Sequence, residues 1–534
     1  MKNINSNKFP EQIAWQSMDE MKQQNLKTKA ENVKKKLLRQ FQDSFESSMD
    51  DLFQDFLREN VGSVGQTTRN GGIVDQSTRN SMESRKVFKP QQSVLTVLLE
   101  VSHIRTIYNI FVAILIVFSF NTLVYDYIDH GRFVIDISIL TWAFGNVPVV
   151  LLTWIAMQVQ LLSAYPLFQA WISTRSPSSK VVDFIWLGIL IAYVVFLICF
   201  PINVIYAHDL PPVSRIIILM EQVRFYMKLH AFVREVAPRV LASSSSDKKN
   251  SDNEQSEDED NEDACKEDRN IPGFSQFLYF LFAPTLIYRD SYPQTSKIRW
   301  HYVVTNFLQV LGCVFYTYYI FVRFCVPVFR DMGNNPPNLK KVVLSIFNTM
   351  LPGTLVLVLG FFCILHSWLN AFAEMLKFAD RMFYKDWWNS TSYANYYRTW
   401  NVVVHDWLYA YCFRDFHWMF RRNRNIAMII TFLISALVHE YVLIISFNFF
   451  FPALFVSFFG FGVSFVFLKP RKGKNVSPGW NIFMWVTLIF GSGMLMVLYS
   501  IEWFAVQNNP KSNDSLREIL VPRSWAFISN SSVF

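Results

Sequence analysis

Long uninterrupted apolar runs dominate the chain after about residue 100 and predict its fold class. Each run has about 20 residues or more, the length that a helix needs to cross the hydrocarbon core of a bilayer. Polar joints separate the runs. The pattern therefore predicts an all-α polytopic membrane bundle with about nine transmembrane helices, at 106–128, 134–161, 181–206, 213–236, 299–326, 342–366, 426–447, 448–468 and 480–506.

The fourth run, 213–236, is the weakest because ionisable residues interrupt its second half; they are Glu221, Arg224, Lys228 and His230. Charge placement nevertheless favours counting it. With a cytosolic N-terminus and nine spans, three basic stretches all fall on the cytosolic side, as the positive-inside rule requires; they are 236–298, 367–425 and 469–474. We therefore predict nine spans, with these ionisable side chains packed inward or near the cytosolic interface, and a luminal tail over 507–534.

The first 100 residues are predicted to form a cytosolic region with one amphipathic helix at 30–60. Apolar residues recur in steps of three and four from Val33 to Leu57, a spacing typical of a helix with one apolar stripe. Charges of both signs cover the opposite face, so this helix needs a partner. A second copy of the chain fits better than a membrane surface, because surface-bound helices are usually rich in Lys and Arg. We expect a homodimer or homotetramer.

Two polar stretches are predicted to lack a fixed structure. Residues 61–85 have the composition of a flexible linker, and the acidic segment 243–270 has that of a disordered insert. The membrane domain is therefore predicted to occupy residues 101–506, with the insert inside it.

Composition excludes several classes of function. The chain has 51% hydrophobic and only 17% charged residues, fewer charges than a soluble domain usually carries. The net charge of +8 is scattered over the joints between apolar runs, so nucleic acid is not expected as a partner. The six cysteines show no CxxC spacing, and neither a disulfide framework nor a metal site is expected.

Polar side chains inside two apolar runs are the candidates for chemistry, since such groups are costly in a membrane. His439 lies in the middle of residues 431–447, with Ser435 one turn earlier on the same face. A neutral imidazole there is suited to act as a general base, although a packing histidine bonded to a neighbouring helix is an equal alternative.

The second candidate is a stripe of His366, Asn370 and Glu374, spaced by four on one helix face. The stripe could line an aqueous cavity, but we favour the alternative that the helix leaves the membrane core there. His366 is the reserve catalytic candidate. The motifs HExxH, GxSxG, HxxxD, GxGxxG and the Walker loop are absent from the sequence.

The polar stretch after the sixth run carries a specific motif. Residues 383–389, FYKDWWN, resemble the FYxDWWN signature of the membrane-bound O-acyltransferase family. The continuation over 389–409, the stretch 277–293 and SALVHEY at 435–441 are similar to the branch of sterol O-acyltransferases, which also has diacylglycerol acyltransferases as near relatives. The resemblance covers nearly everything from about residue 100 to 506.

This resemblance implies roles for particular residues. His439 corresponds to the catalytic histidine of the family and Asn401, after Trp400, to its paired polar residue, so these three form the expected catalytic group. The expected acyl-CoA contacts are Phe383, Tyr384, Asp386, Trp387, Trp388, Asn389, Arg398, His405, Arg424 and Ser435. Ser435 is expected to orient the imidazole or to contact the thioester.

The resemblance implies transfer of a long-chain acyl group from acyl-CoA to a sterol in the endoplasmic reticulum membrane, with no cofactor or metal. Acylation of diacylglycerol by the same machinery is the nearest alternative. A transporter is less favoured because the sequence shows no convincing internal repeat. A silent sterol sensor is opposed by the presence of both His439 and Asn401.

Overall fold

The computed structural model describes residues 86–131, 138–175, 180–251, 271–329, 338–467, 478–508 and 521–524. Its regular elements in these ranges are helices, accompanied by two isolated bridges, Gln91 with Asp380 and Gln294 with Phe378. The helices are α1 (Val94–Leu98), α2 (Ser102–His130), α3 (Ser138–Ala143), α4 (Val147–Thr174), α5 (Lys180–Ala207), α6 (Pro212–Ser251), α7 (Phe274–Phe282), α8 (Trp300–Phe329), α9 (Leu339–Met375), α10 (Tyr393–Trp400), α11 (Val402–Trp407), α12 (Arg414–Met419), α13 (Arg424–Phe447), α14 (Ala453–Phe467) and α15 (Gly479–Asn508).

Within these ranges, seven helical segments are long and apolar enough to cross a membrane, which confirms the multi-pass helical class. They are Ser102–Asn121, Ser138–Thr174, Val181–Ala207, Trp300–Phe329, Leu339–Met375, Arg424–Phe447 and Gly479–Asn508. The other two predicted spans are helices as well. The 213–236 span lies in α6, which is too charged to qualify by hydropathy, and the 448–468 span contains α14, which is shorter than the others.

Contacts between loops constrain how many helices cross. Gln91 and Asp380 form a bridge, so an even number of crossings must separate them. Only five qualifying segments lie between them, and α6 supplies the sixth. The carbonyl of Trp388 accepts a hydrogen bond from Asn481, and α14 must cross with α13 to bring them to one side. This parity supports a total of nine spans.

Charged residues in the middle of α6 face the protein interior, as expected for a helix that crosses inside a bundle. Lys228 is fully buried, and its ammonium group donates hydrogen bonds to the carbonyls of Phe280, Ala283 and Thr285 at 2.5, 2.8 and 3.0 Å. The three donors of the ammonium are therefore all used. Arg224 pairs with Glu221 at 2.7 Å.

The compact unit that contains the helices begins at Val87, earlier than the predicted boundary at 101. The backbone of Gln91 bonds to Ala379 and Arg381, and its side chain donates to Asp380 at 2.8 Å. Ser93 is completely buried. Residues 87–98 are thus part of the membrane domain.

Other predicted segments lie wholly or partly outside the described residues. The amphipathic helix at 30–60, the linker 61–85 and most of the 507–534 tail are among them. α6 continues to Ser251, so it extends into the 243–270 segment that composition predicts to be disordered.

Candidate functional site

Backbone hydrogen bonds join the FYKDWWN segment (residues 383–389) to the end of α10. The Lys385 amide donates to the carbonyl of Thr399 at 2.8 Å, and the Val402 amide donates to that of Phe383 at 2.9 Å. On the other side, the Trp388 carbonyl accepts from Asn481 at 2.9 Å and from the indole of Trp485 at 3.1 Å. The motif is thereby fixed directly beside Trp400 and Asn401.

The side chains of this segment divide into two groups. Phe383, Tyr384 and Trp387 are buried, whereas Asp386 and Asn389 are exposed and Trp388 is half-buried. A buried ring cannot line an open tunnel. The three buried residues therefore pack behind the surface, and the exposed members that a ligand can reach are Lys385, Asp386 and Asn389.

An aromatic cluster surrounds Trp387 and includes Trp400. The Trp387 ring centroid lies 4.6 Å from that of Trp400, 5.1 Å from that of Phe361 and 5.6 Å from that of Trp485. Edge-on and tilted arrangements such as these add to the free energy gained from burial. Trp400 is a packing residue that holds the end of α10, and with it Asn401, against α9.

The reserve candidate His366 belongs to a buried network. Its Nδ1 lies 2.7 Å from the hydroxyl of Tyr384 and 3.4 Å from that of Ser93, and Asn370 donates to Ser93 at 3.2 Å. Burial raises the pKa of the Tyr384 phenol, which keeps it a donor. Nδ1 of His366 is therefore engaged by neighbouring side chains, and the imidazole is buried.

Glu374 completes the predicted stripe and faces the interior too. Its carboxylate pairs with Arg299 at 2.9 Å and with Arg381 at 2.6 Å. His366, Asn370 and Glu374 are all buried. The stripe thus packs into the protein and does not line an open cavity, and α9 ends at Met375, one residue after Glu374.

Asn401 ends α10 and begins α11. Its Oδ1 accepts a hydrogen bond from the Val404 amide at 3.1 Å, which is the contact of a helix N-cap. A capping role is therefore part of what Asn401 does. It uses only the oxygen of the side chain, and within the described residues the Nδ2 group has no hydrogen-bond partner. This donor remains available to a ligand.

His439 is exposed on α13, and its hydrogen bond defines its tautomer. Nδ1 lies 2.7 Å from the backbone carbonyl of Ser435. A carbonyl can only accept, so Nδ1 carries the proton and Nε2 keeps its lone pair. The orienting group is the carbonyl of Ser435 rather than its hydroxyl. An imidazole with a free Nε2 is suited to take a proton from a substrate hydroxyl.

Phe458 covers one face of the imidazole. The two ring centroids are 5.2 Å apart and the rings are stacked, with an angle of 29° between their planes. Phe458 lies in a π-helical turn of α14, Val456–Phe461; such turns are frequent at functional sites. Tyr397 of α10 packs against Phe458 at 5.3 Å and so links the histidine to the helix that ends beside Asn401.

The remaining predicted residues are two exposed arginines and a half-buried histidine. Arg398 and Arg424 are exposed, and His405 is half-buried with Nδ1 3.5 Å from Asp406. Arg424 begins α13 and precedes His439 by 15 residues, which places it about 22 Å away along the helix axis.

Sequence reasoning missed Phe458, Tyr397 and the Ser435 carbonyl. A phenylalanine in a chain this rich in phenylalanine carries no local signal, and a backbone carbonyl carries none in any sequence. Among the described residues, no group of three or more His, Cys, Asp or Glu side chains could hold a metal ion.

Comparisons with known proteins agree with the motif. The model of MBOAT, the membrane-bound O-acyltransferase family, matches residues 178–501. Sterol O-acyltransferase 1 of Chlorocebus aethiops is 50% identical over 450 residues, which are 83% of this chain and 78% of that protein. The Mus musculus protein of the same name is 48% identical over 83% of this chain and 79% of its own length. Sterol O-acyltransferase 2 of Homo sapiens is 42% identical over 85% of this chain and 83% of its own length.

Proposed function

Because the chain belongs to the membrane-bound O-acyltransferase family, we propose that it transfers an acyl group from acyl-CoA to the hydroxyl of a sterol. The products are a sterol ester and CoA. The observation that carries this proposal is the free Nε2 of His439, exposed within an apolar helix. The names of relatives at 42–50% identity support the sterol as acceptor.

The reaction needs a base, because a sterol hydroxyl is a weak nucleophile. Nε2 of His439 accepts the hydroxyl proton while the oxygen attacks the thioester carbonyl. The carbonyl oxygen becomes an oxyanion, and Nδ2 of Asn401 donates a hydrogen bond to it. When the C–S bond breaks, the imidazolium returns the proton to the leaving sulfur, which departs as the CoA thiol. The histidine is then neutral again.

The arginines serve the far end of acyl-CoA in this proposal. Phosphates of CoA are anionic, and Arg398 and Arg424 are exposed cations. The distance of about 22 Å from His439 to Arg424 along α13 suits a substrate whose phosphates and thioester are separated by an extended pantetheine arm. In this proposal the exposed Asp386 and Asn389 of the FYKDWWN segment contact acyl-CoA directly.

An acyl-transfer assay on the purified full-length protein tests the function. We expect ester synthesis from acyl-CoA with cholesterol and none, or far less, with diacylglycerol. His439→Ala should lower turnover by at least about 10²-fold, the usual contribution of a general base. Preferred transfer to diacylglycerol would contradict the sterol assignment.

His366→Ala is the matched control for the base. It removes a buried histidine that contacts Tyr384, so it should lower thermal stability, while folded protein keeps its turnover. Near-normal turnover in His439→Ala, with a loss in folded His366→Ala, would assign the base to His366 instead.

We propose further that the enzyme resides in the endoplasmic reticulum membrane and assembles as a homodimer or homotetramer. Deleting residues 1–60 should reduce the oligomer to a smaller unit, because the Val33–Leu57 stripe would then be missing. Light scattering in detergent measures this mass. An unchanged mass would assign the stripe to the membrane surface.

A further inference from the structure

The aromatic ring that covers His439 offers more than a packing surface. We infer that the face of Phe458 stabilises the protonated imidazole that forms when His439 takes the substrate proton. Phe458 is thus a positioning residue for the base. This inference rests on the proposed function, since it needs His439 to become positively charged during the reaction.

The geometry fits an interaction between a cation and an aromatic face. The centroids of the two rings are 5.2 Å apart, within the distance of about 6 Å over which a ring quadrupole attracts a cation. Their planes differ by only 29°, so the two rings are stacked, and the imidazole does not meet Phe458 in the edge-on arrangement of a T-shaped pair. The neutral imidazole gains little from this arrangement. The imidazolium gains more, and an interaction that strengthens toward the transition state accelerates the chemical step.

The Phe458 ring is held in place from its other sides. Tyr397 meets it nearly at a right angle, with a centroid distance of 5.3 Å, and Phe432 lies 5.9 Å away. A Cβ added at Gly462 would collide with the hydroxyl of Tyr397, so this glycine lets Tyr397 approach. The ring is therefore preorganised before substrate binds.

The start of α14 is anchored beside the histidine as well. The buried carboxyl of Glu440 accepts a hydrogen bond from the Phe455 amide at 3.1 Å, and the Tyr499 hydroxyl accepts one from the Leu454 amide at 3.1 Å. Glu440, Tyr499 and Tyr397 are titratable groups that these contacts bring to this side of His439. The carboxyl of Glu440 and the hydroxyl of Tyr499 both accept hydrogen bonds from backbone amides of α14.

A simple apolar wall for the acyl chain or the sterol is the alternative role for Phe458. Fluorinated phenylalanines separate the two roles, because fluorine withdraws charge from the ring face with little change in shape. We would replace Phe458 with 4-fluoro-, 3,5-difluoro- and 3,4,5-trifluorophenylalanine in the full-length protein. The measurements are kcat, KM and the pH dependence of kcat, with cholesterol and acyl-CoA as substrates.

If the ring face stabilises the imidazolium, kcat falls stepwise with each fluorine, by roughly 3- to 30-fold across the series, while KM changes little. The limb on which turnover rises with pH moves to lower pH, because the protonated imidazole has lost its partner. A constant kcat with an unchanged pH profile across the series would overturn the inference.

Phe459 provides the matched control, since it lies in the same π-helical turn and is half-buried like Phe458. Its ring packs on Phe455 at 5.5 Å rather than on His439. Fluorination of Phe459 should leave kcat and the pH profile unchanged, and an equal fall at both positions would overturn the inference too. His439→Ala keeps the two proposals apart. If His439→Ala is inactive while kcat stays constant across the fluorinated Phe458 series, only the role proposed for Phe458 is contradicted. If that variant is active, the base is wrongly assigned.

Discussion

The oxygen and the nitrogen of the Asn401 side-chain amide have different roles. The oxygen caps α11, and the nitrogen is the proposed donor to the oxyanion. Aspartate keeps an oxygen that can accept from the Val404 amide but has no donor, so Asn401→Asp should fold with near-normal stability. Its kcat should fall by about 10²- to 10³-fold, the usual loss for one oxyanion donor.

Asn401→Ala is the matched variant that loses both functions. It should show the same fall in kcat and, in addition, a loss of about 1 kcal/mol in stability from the missing cap. Thermal unfolding in detergent and steady-state assays measure the two effects. Equal activity in Asn401→Asp and the unchanged protein would leave the cap as the only function of this residue.

At the scale of single residues, the sequence identifies the polar side chains of the site but not the groups that they contact. His439 and Asn401 stand out because polar groups are costly among apolar residues. Phe458 lies 19 positions after His439, on another helix, and its contact depends on the register between α13 and α14. Periodicity describes each helix by itself and cannot set that register.

At the scale of elements, α9 and α15 approach each other through glycine. A Cβ added at Gly493 would lie 2.9 Å from Cα of Met350 and 3.0 Å from the carbonyl oxygen of Ile346. Both are backbone atoms that cannot move away without shifting the helix. Gly493→Ala should therefore destabilise the protein by about 1–3 kcal/mol, as overpacking usually does.

Gly491 is the control for this substitution, since it lies on the same helix with open space at its Cβ position. Gly491→Ala should be neutral or slightly stabilising, because alanine favours the helix. The measurement is the unfolding midpoint of each variant in the same detergent. A similar fall for both glycines would point to helix α15 itself rather than to its contact with α9.

Helix α6 shows what sequence can and cannot give at this scale. The four ionisable residues from Glu221 to His230 are compatible with a crossing helix only if they face inward, and Lys228 does. The hydrogen-bond partners of Lys228 lie in the stretch 280–285, at the end of α7 and just after it, and α7 is too short to predict from an apolar run. Hydropathy alone therefore undercounts the crossings, and the contacts supply the missing helix.

For the molecule as a whole, the even number of crossings between Gln91 and Asp380 fixes the topology once one side is known. If the N-terminal side is cytosolic, the acidic insert 243–270 is cytosolic and the tail after α15 is luminal. The sequons at Asn513 and Asn530 should then be glycosylated, and a sequon engineered into the insert should not.

A sequon engineered between α2 and α3, on the first luminal connection, is the positive control for this experiment. Gel mobility before and after glycosidase treatment gives the result. Glycan on the insert, with none on Asn513 or Asn530, would invert the domain and remove cytosolic access for acyl-CoA.

The pairing of residues 87–98 with the FYKDWWN region also sets an order of events during synthesis. The Gln91 side chain binds Asp380, which is 289 positions later in the chain. At about 5–20 residues per second, a ribosome needs about 15–60 s to make the intervening polypeptide. During that time Gln91 lacks its partner Asp380, although Tyr292 and Tyr302, which contact Phe88 and Thr96, are made earlier. Five helices that cross by hydropathy must insert before Gln91 can meet Asp380. The contacts between residues 87–98 and the region around Asp380 therefore form only after residue 380 has been made. A ribosome that stalls before that residue leaves membrane helices inserted but the site incomplete.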